Sequence, residues 1–307
     1  MRTSPFDTLA AAVCLLAVCT LPAHAASYSA IFAFGDSLSD NGNLYRATGG
    51  LAPASPPYYS GRFSNGPVAA EQLAAQLNAP LIDFAYGGAT TGVGNIADGG
   101  TQTKPGLFGL PGMLAELKGA TIPSAAASSS LFLVWGGADD FESAGSPAVA
   151  AANIDEIVET LEADGATHIL VPDLPDLGLT PEFYGNPLAT AYSSAFDAAL
   201  QATLPPGATF FDTESVFASI LANPGAYGFT DTTGSCYDAT TGAVCSNPGQ
   251  YLFFDDLHPT AAADAILATD FAAAVTPAAT TPEPSSLLLL GTGLAGITGL
   301  LRRRKST

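Results

Sequence analysis

The sequence predicts an α/β protein, built as a three-layer α/β/α sandwich around a parallel five-stranded sheet. Five short runs rich in β-branched or aromatic residues are apolar almost throughout, as expected for parallel strands buried on both faces. Helical segments lie between these runs. Regular alternation of strand and helix is typical of a parallel sheet that helices cover on both sides.

The predicted strands are short and apolar, and the predicted helices are marked by their ends or their spacing. The strands are Tyr28–Phe34, Leu81–Tyr86, Leu131–Trp135, His168–Pro172 and Thr209–Asp212. The helices are Pro67–Leu77, Ala148–Ala163, Ala189–Leu204 and Thr260–Ala274. Pro67 suits a first helical turn, and the Asn78-Ala79-Pro80 segment ends the same helix. The second helix carries apolar residues at helical spacing, and the last two are rich in alanine.

Three long segments interrupt the alternation. Thr48–Ser60 is rich in Pro, Gly and Tyr, Thr90–Leu110 is rich in Gly and Thr, and Gly225–Gln250 carries two cysteines. Loops of this length in a compact domain are commonly functional or mobile. The first segment is therefore either a wall of a substrate cleft or a solvated insertion.

Both ends of the chain have the composition of processing signals. Arg2 precedes an apolar run from Leu9 to Leu21, and Ala23-His24-Ala25 fits a small-x-small cleavage site. This is the layout of a secretory signal peptide, and the run is shorter than the ~20 residues that a membrane span needs. Residues 1–25 are therefore predicted to be removed by signal peptidase.

The other end carries Pro282-Glu283-Pro284, an apolar stretch from Ser285 to Leu301 and then the basic residues 302–305. This layout resembles the PEP-CTERM sorting signal of Gram-negative bacteria, which implies recognition by an exosortase after transient association with the membrane. An ordinary membrane anchor is the alternative. The predicted organisation is a central α/β domain over 26–275, a linker over 276–281 and the sorting segment over 282–307.

The segment between these signals is strongly acidic. Residues 26–281 contain four basic residues and 26 acidic ones, a formal net charge of −22. Such a surface repels nucleic acid and anionic membranes. Cys236 and Cys245 remain in this segment, and in an exported protein they most simply form a local disulfide, with two free thiols as the alternative. No histidine or further cysteine stands near them at the spacing of a zinc site.

Candidate catalytic residues occur near both ends of this domain. Ser37 follows the first predicted strand within Gly35-Asp36-Ser37, which places its hydroxyl at the carboxyl edge of the sheet. Asp255 and His258 stand three apart, so that one carboxylate can orient one imidazole. These three residues are candidates for nucleophile, orienting acid and base, with Asp256 as the alternative acid. His168 begins an apolar strand and is predicted to be structural.

Several sequence blocks carry a family resemblance. They are GDSLSDNGN over 35–43, GRFSNGP over 61–67, EQLA over 71–74, FAYGGAT over 84–90 and DDLHPT over 255–260. In this order they resemble the secreted branch of the GDSL-type (SGNH) serine esterases and lipases, over roughly residues 29–275. The resemblance implies a flavodoxin-like strand order 2-1-3-4-5, ester chemistry through an acyl-enzyme on Ser37, and neither a metal nor a cofactor.

The resemblance also implies an oxyanion hole. Its donors would be the backbone N–H of Ser37, the backbone N–H of Gly88 (with Gly87 as the alternative), and an asparagine side chain in a Gly-x-Asn-Asp block. Here that block reads Gly137-Ala138-Asp139-Asp140, so Asp139 stands where the family has asparagine. An ionised carboxylate accepts hydrogen bonds and cannot donate one.

The sequence therefore predicts an exported serine hydrolase that acts on small-molecule or lipid esters, either secreted or held at the surface or in the extracellular matrix of a Gram-negative bacterium. Two alternatives remain open. An acyltransferase would pass the acyl group to another alcohol. A weakly active or inactive surface or matrix protein would retain the fold alone, an interpretation that Asp139 makes less remote.

Overall fold

A parallel five-stranded sheet lies at the centre of residues 28–276, the part of the chain that the computed structural model describes. Its strands are β1 Ile31–Gly35, β2 Leu81–Asp83, β3 Leu131–Trp135, β4 Ile169–Pro172 and β5 Ala208–Phe211. Their order is β2-β1-β3-β4-β5, with every pairing parallel. This order confirms the one that the family resemblance implies.

Helices cover both faces of this sheet. They are α1 Asn43–Ala47, α2 Ala69–Leu77, α3 Met113–Gly119, α4 Ser124–Ala127, α5 Ala138–Glu142, α6 Pro147–Ala163, α7 Pro187–Thr203, α8 Thr213–Ala222 and α9 Ala261–Val275. Phe32 and Phe132 pack into one core with the apolar faces of α6 and α7. On the other side, Trp135 of β3 contacts Phe271 of α9, and α9 packs against α2. The three-layer prediction is therefore confirmed.

The strands are not all buried as the sequence predicted. β1, β3 and β4 are buried along their whole length, whereas β2 and β5 are only partly buried. Ile82 of β2 remains 40% exposed. β2 and β5 are the edge strands, so each has a neighbouring strand on one side only, and the prediction of complete burial was wrong for both.

The segment Gly225–Gln250 contains short strands that the sequence did not predict. β6 Asp231–Ser235 pairs in parallel with β9 Tyr251–Phe253, and β7 Tyr237–Asp238 forms a hairpin with β8 Ala243–Val244. The predicted disulfide between Cys236 and Cys245 closes this hairpin, with an S–S distance of 2.06 Å. The segment thus contains a disulfide-closed hairpin that precedes β9.

Several buried carboxylic acids of this domain have raised pKa values. Two of them are Asp173, which directly follows β4, and Asp197, which lies on α7. Asp173 Oδ1 accepts hydrogen bonds from the N–H of Thr213 and of Glu214, at 2.6 and 3.2 Å, and Asp197 Oδ1 accepts one from Leu174 N–H at 3.0 Å. Burial raises the pKa of Asp173 to about 7 and that of Asp197 to about 8. Burial likewise raises the pKa of Asp83, Glu116 and Asp264 well above the ordinary range.

The predicted signal peptide (1–25) and sorting segment (282–307) lie outside the described residues, as does the predicted linker apart from Thr276. Within residues 28–276, no helix combines the length and the apolar character needed to cross a membrane.

Candidate active site

Ser37 lies in a tight turn at the carboxyl end of β1. The carbonyl of Asp36 accepts hydrogen bonds from the N–H of Ser39 and of Asp40, which closes the turn around the serine. Gly35 approaches β3 so closely that a Cβ there would stand 2.2 Å from the Trp135 carbonyl oxygen. Only glycine therefore permits the turn, and the serine hydroxyl emerges at the ligand-binding edge of the sheet.

The three residues singled out in the sequence meet at this edge. Ser37 Oγ lies 2.7 Å from His258 Nε2, and His258 Nδ1 lies 2.8 Å from Asp255 Oδ2. The backbone N–H groups of Leu257 and His258 donate to Asp255 Oδ1, so the loop that carries the acid also fixes its orientation. All three side chains are buried, with at most 9% of each residue exposed.

Two other sequence candidates lie away from this contact. The Asp256 carboxylate accepts a hydrogen bond from the Ser235 hydroxyl, and its carbonyl accepts one from Glu182 N–H. Asp256 is therefore not the acid that orients His258. His168 packs edge-on against Tyr28 just before β4, and its carbonyl accepts a hydrogen bond from Phe132 N–H. Its setting is structural, as predicted.

Tyr58 is a fourth member of this contact that the sequence did not reveal. Its hydroxyl donates to Asp255 Oδ2 at 2.6 Å. The ring packs against Phe63, Tyr237 and Phe254, with centroid distances between 5.4 and 5.9 Å. The segment Thr48–Ser60 thus contributes a wall of the cleft, which was one of its two predicted roles.

The electrostatics of the pair favour a charged acid beside a basic imidazole. Burial opposes ionisation of Asp255, but the His258 imidazole and the hydrogen bonds from His258 and Tyr58 outweigh it and lower the pKa of Asp255 to about 2. Burial favours neutral His258, but the Asp255 carboxylate outweighs it and raises the pKa of His258 above 6.5. Asp36 and Glu142 add to that rise.

The two predicted glycines differ in whether the backbone N–H is already hydrogen-bonded within the protein. Gly87 N–H donates to Asp40 Oδ2 at 2.8 Å and is therefore already used. Neither Gly88 N–H nor Ser37 N–H has a hydrogen-bond acceptor among the described residues, and both residues line the same cavity. Gly88 has φ +81°, and a Cβ there would stand 2.6 Å from Asn95 Oδ1. Gly88 is thus placed to donate and Gly87 is not.

Asp139 lies at the start of α5 and lines the cavity that contains Ser37 and Gly88. It is 5% exposed, and its Oδ2 atom is buried without a hydrogen-bond partner among the described residues. Burial raises the pKa of Asp139 well above the ordinary range, and the nearby carboxyl group of Asp36 raises it further.

Asp36, rather than Asp140, is the main acidic neighbour of Asp139. The Asp140 carboxylate accepts hydrogen bonds from Thr91 N–H, the Thr91 hydroxyl and Gln102 Nε2, between 2.6 and 2.9 Å. It therefore holds the loop after β2. Asp36 is 1% exposed, and burial raises its pKa to about 7.

The cavity in front of these residues has a volume of about 370 Å³. Its walls combine apolar and aromatic side chains with carboxylates, and no lysine or arginine lines it. The acidic members beyond Asp139 and Asp255 are Glu142, Glu182 and Asp256. Among residues 28–276, no three His, Cys, Asp or Glu side chains are grouped so that they could hold a metal ion.

Residues 31–271 match the model of the GDSL-like lipase/acylhydrolase family, and residues 280–305 match the PEP-CTERM protein-sorting motif. Three curated relatives illustrate the range of similarity. A phosphatidylcholine-sterol acyltransferase of Aeromonas hydrophila is 32% identical over 243 residues, which cover 73% of this chain and 71% of that protein. The thermolabile hemolysin of Vibrio parahaemolyticus is 26% identical, with 76% and 60% covered. Esterase EstA of Pseudomonas aeruginosa is 29% identical, with 84% and 48% covered.

The chain thus spans about half to seven-tenths of the length of these relatives. Among solved structures, the acetylxylan esterase Axe2 of Geobacillus stearothermophilus superposes with a TM-score of 0.44 at 14% identity. The superposition covers 80% of this chain and 94% of Axe2.

Proposed function

The chain belongs to the GDSL-like lipase/acylhydrolase family, and from that premise we propose that it cleaves carboxylic esters through an acyl-enzyme formed on Ser37. One observation carries this proposal. An unbroken hydrogen-bonded chain joins Ser37 Oγ, the His258 ring and the Asp255 carboxylate, at 2.7 and 2.8 Å. A serine hydroxyl is a weak nucleophile until such a base takes its proton.

In the proposed reaction, His258 Nε2 removes the proton as Ser37 Oγ attacks the ester carbonyl. The oxyanion of the tetrahedral intermediate accepts hydrogen bonds from the N–H groups of Ser37 and Gly88. His258 then returns the proton to the departing alcohol, which leaves the acyl group on Ser37. Water then takes the place of the alcohol, and His258 removes its proton as it attacks the acyl carbonyl. The proton returns to Ser37 Oγ as the carboxylic acid leaves, and Asp255 stays ionised throughout.

We assign the third oxyanion contact to Asp139 in its neutral form. A protonated carboxylic acid donates one O–H hydrogen bond, as the asparagine amide of the family would. The raised pKa of Asp139 and its unpartnered Oδ2 atom support this assignment. A neutral acid in an apolar site is an established way to bind an oxyanion.

Transfer to a second alcohol is the other candidate function. The observation that favours it is the 32% identical relative, which is named as an acyltransferase. Water and alcohols attack the same acyl-enzyme, so both reactions need the same site. The continuous hydrogen-bonded chain argues against the third alternative, a surface protein without activity.

The PEP-CTERM motif indicates export in a Gram-negative bacterium and sorting by an exosortase. We propose that the mature protein is secreted or held at the cell surface, that signal peptidase removes the N-terminal segment, and that the C-terminal segment contacts the membrane only until it is cleaved. Mass spectrometry of the exported protein should find both end segments absent. Recovery of intact residues 302–305 outside the cell would contradict this route.

Ser37→Ala and His258→Ala test the proposed reaction. Each should lower ester hydrolysis by at least about 10⁴-fold, and the double variant should be no worse, because the two residues act as a unit. Ser39→Ala is the matched control, since Ser39 lies in the same turn but its hydroxyl has no hydrogen-bond partner among the described residues. A fluorophosphonate should label Ser37 in the wild type and in the control. Folded Ser37→Ala with most of its activity would refute the nucleophile.

A further inference from the structure

A second, narrower cavity also reaches Ser37. Its volume is about 30 Å³, and it shares Ser37, Asp139, Leu257 and His258 with the larger cavity. Gly88 lines the larger cavity but not the narrow one. The proposed nucleophile therefore stands where two spaces of very different size meet.

The narrow cavity is apolar over most of its wall. The larger apolar side chains of this wall include Trp135, Leu177, Phe217 and Phe253, together with Pro175 and Pro259. Thr180 also lines it, and its hydroxyl already donates to the Leu177 carbonyl at 2.7 Å. The carboxyl groups in the wall are Asp36 and Asp139, and the Oδ2 atom of each has no hydrogen-bond partner among the described residues. The apolar part of the wall offers a hydrocarbon group contacts that need no hydrogen bond.

We propose that this narrow cavity binds the acyl group of the ester and restricts the enzyme to short acyl chains. The proposal rests on the function proposed above. In the tetrahedral intermediate the carbonyl carbon carries Ser37 Oγ, the oxyanion, the alcohol oxygen and the acyl chain. The oxyanion turns toward Gly88 N–H in the larger cavity. The alcohol must leave and be replaced by water, which the larger cavity permits, so the acyl chain takes the narrow one.

The size of the cavity sets the length of the chain. One water-sized group needs about 10–15 Å³ of such volume, so about 30 Å³ holds two or three. With the carbonyl carbon at Ser37, the cavity is filled by propionyl or butyryl, and it also admits the smaller acetyl group. Longer chains meet the wall formed by Phe217 and Phe253, whose ring centroids are 6.4 Å apart.

A third cavity of about 40 Å³ shares this wall. Pro175, Thr180, Phe217 and Phe253 line both it and the narrow cavity. Phe217, on α8, is 6% exposed, so its ring is almost entirely enclosed between neighbours. Removing that ring joins the two spaces and extends the acyl site.

The test compares kcat/KM for p-nitrophenyl acetate, butyrate, hexanoate and octanoate. In the wild type, kcat/KM should fall at least tenfold from butyrate to octanoate. Phe217→Ala should raise the ratio of octanoate to acetate at least tenfold, and Phe217→Leu should give an intermediate shift. An unchanged profile in folded Phe217→Ala, or a wild-type preference for octanoate, would overturn the proposal.

Ile220→Ala is the matched control. Ile220 lies on the same helix and is fully buried, but it lines neither cavity. Both truncations leave a void in the core, so a general loosening of the domain would change both profiles. The control should keep the wild-type ratio of octanoate to acetate, and circular dichroism should establish that each variant is folded.

Two further measurements separate this proposal from the function on which it rests. If a fluorophosphonate labels Ser37 and esters are cleaved but chain length has no effect, the acyl site is wrong and the hydrolase stands. If Phe217→Ala changes the preference among acetate esters of different alcohols instead, the narrow cavity binds the alcohol and the proposal is wrong. Absence of both labelling and hydrolysis would remove the two together.

Discussion

At the scale of single residues, Asp139 stands where the family resemblance implies an asparagine. The Asp139 carboxyl group is buried, has a carboxylic neighbour in Asp36, and leaves Oδ2 without a partner among the described residues. Ionising it would place a second negative charge beside a developing oxyanion. Its raised pKa means that the neutral, donating form persists to higher pH than an ordinary aspartate allows.

Activity should therefore depend on pH in two ways. His258 must be neutral to act as a base, so kcat should rise with pH through a pKa above 6.5. Asp139 must be protonated to donate, so kcat should fall again as Asp139 ionises. Asp139→Asn supplies a permanent donor and should remove the alkaline fall, raising kcat there by up to about 10²-fold with little change in KM.

The measurement is kcat against pH for both proteins, with active sites counted by fluorophosphonate labelling. Asp139→Asn should keep the acid limb and lose the alkaline one. If kcat of the variant were unchanged or lower at every pH, Asp139 would not be a donor to the oxyanion.

The site residues that the sequence could suggest are those with a local signal. Asp255 and His258 are three apart in the sequence, and Ser37 lies in a recognisable block. Tyr58 was missed because its partner Asp255 is 197 positions away and no short pattern links them. The choice between Gly87 and Gly88 also needed the fold, since only the bond from Gly87 N–H to Asp40 separates them.

At the scale of elements, the loop over 48–60 acts through Tyr58. The aromatic rings of Phe63, Tyr237 and Phe254 hold the tyrosine, and the disulfide-closed hairpin carries Tyr237 next to Cys236. A segment rich in Pro and Gly is thereby anchored to the acid that orients His258. The loop is a support for the site as well as a wall.

Tyr58→Phe keeps this packing and removes one hydrogen bond. Asp255 loses a donor that stabilises its charge, so it should attract the His258 imidazolium more strongly and raise the pKa of His258. The acid limb of the pH–rate profile should move to higher pH, and kcat should fall by about tenfold with KM nearly unchanged. Tyr59→Phe, on the adjacent exposed tyrosine, should change neither quantity. A Tyr58→Phe profile that matched the wild type would contradict this support role.

Element prediction was best for the long helices and the inner strands. β3 was predicted with its observed bounds, whereas β2 proved shorter than the run Leu81–Tyr86, because only three of its residues pair with β1. α8 was missed although Asp212 caps it, accepting a hydrogen bond from Ser215 N–H. The strands β7 to β9 have two or three residues and are too short to show a period, whereas β6 consists of polar residues and glycine; all four depend on tertiary pairing.

At the scale of the whole molecule, the fold followed from the sequence because the alternation of strand and helix runs through the entire domain. The two cavities could not be predicted, because their walls combine residues from separate loops that only the completed sheet brings together.

The buried carboxylic acids of this domain have a consequence for its folding equilibrium. Asp36, Asp140, Asp173 and Asp197 have pKa values near 7, 6, 7 and 8 in the folded protein, above the ordinary value of 3.8. Between about pH 4 and pH 8 the native state therefore holds protons that the unfolded chain releases. Folding is therefore coupled to proton uptake. The free energy of unfolding decreases as pH rises through this window, because unfolding releases these protons.

Asp255 acts in the opposite sense. Its folded pKa of about 2 stabilises the native state above pH 4, and that contribution is lost only as pH falls toward 2.

The melting temperature should therefore be highest in mildly acidic solution and fall from about pH 5 to pH 8. Asp197→Asn keeps an acceptor for Leu174 N–H and removes one titrating group, so it should flatten this fall. Thermal melts across this range decide the matter, and a melting temperature that rises toward pH 8 would show that these acids are ionised in the native protein. A protein built in this way takes up protons when it folds, so mild acidity should favour its folded state.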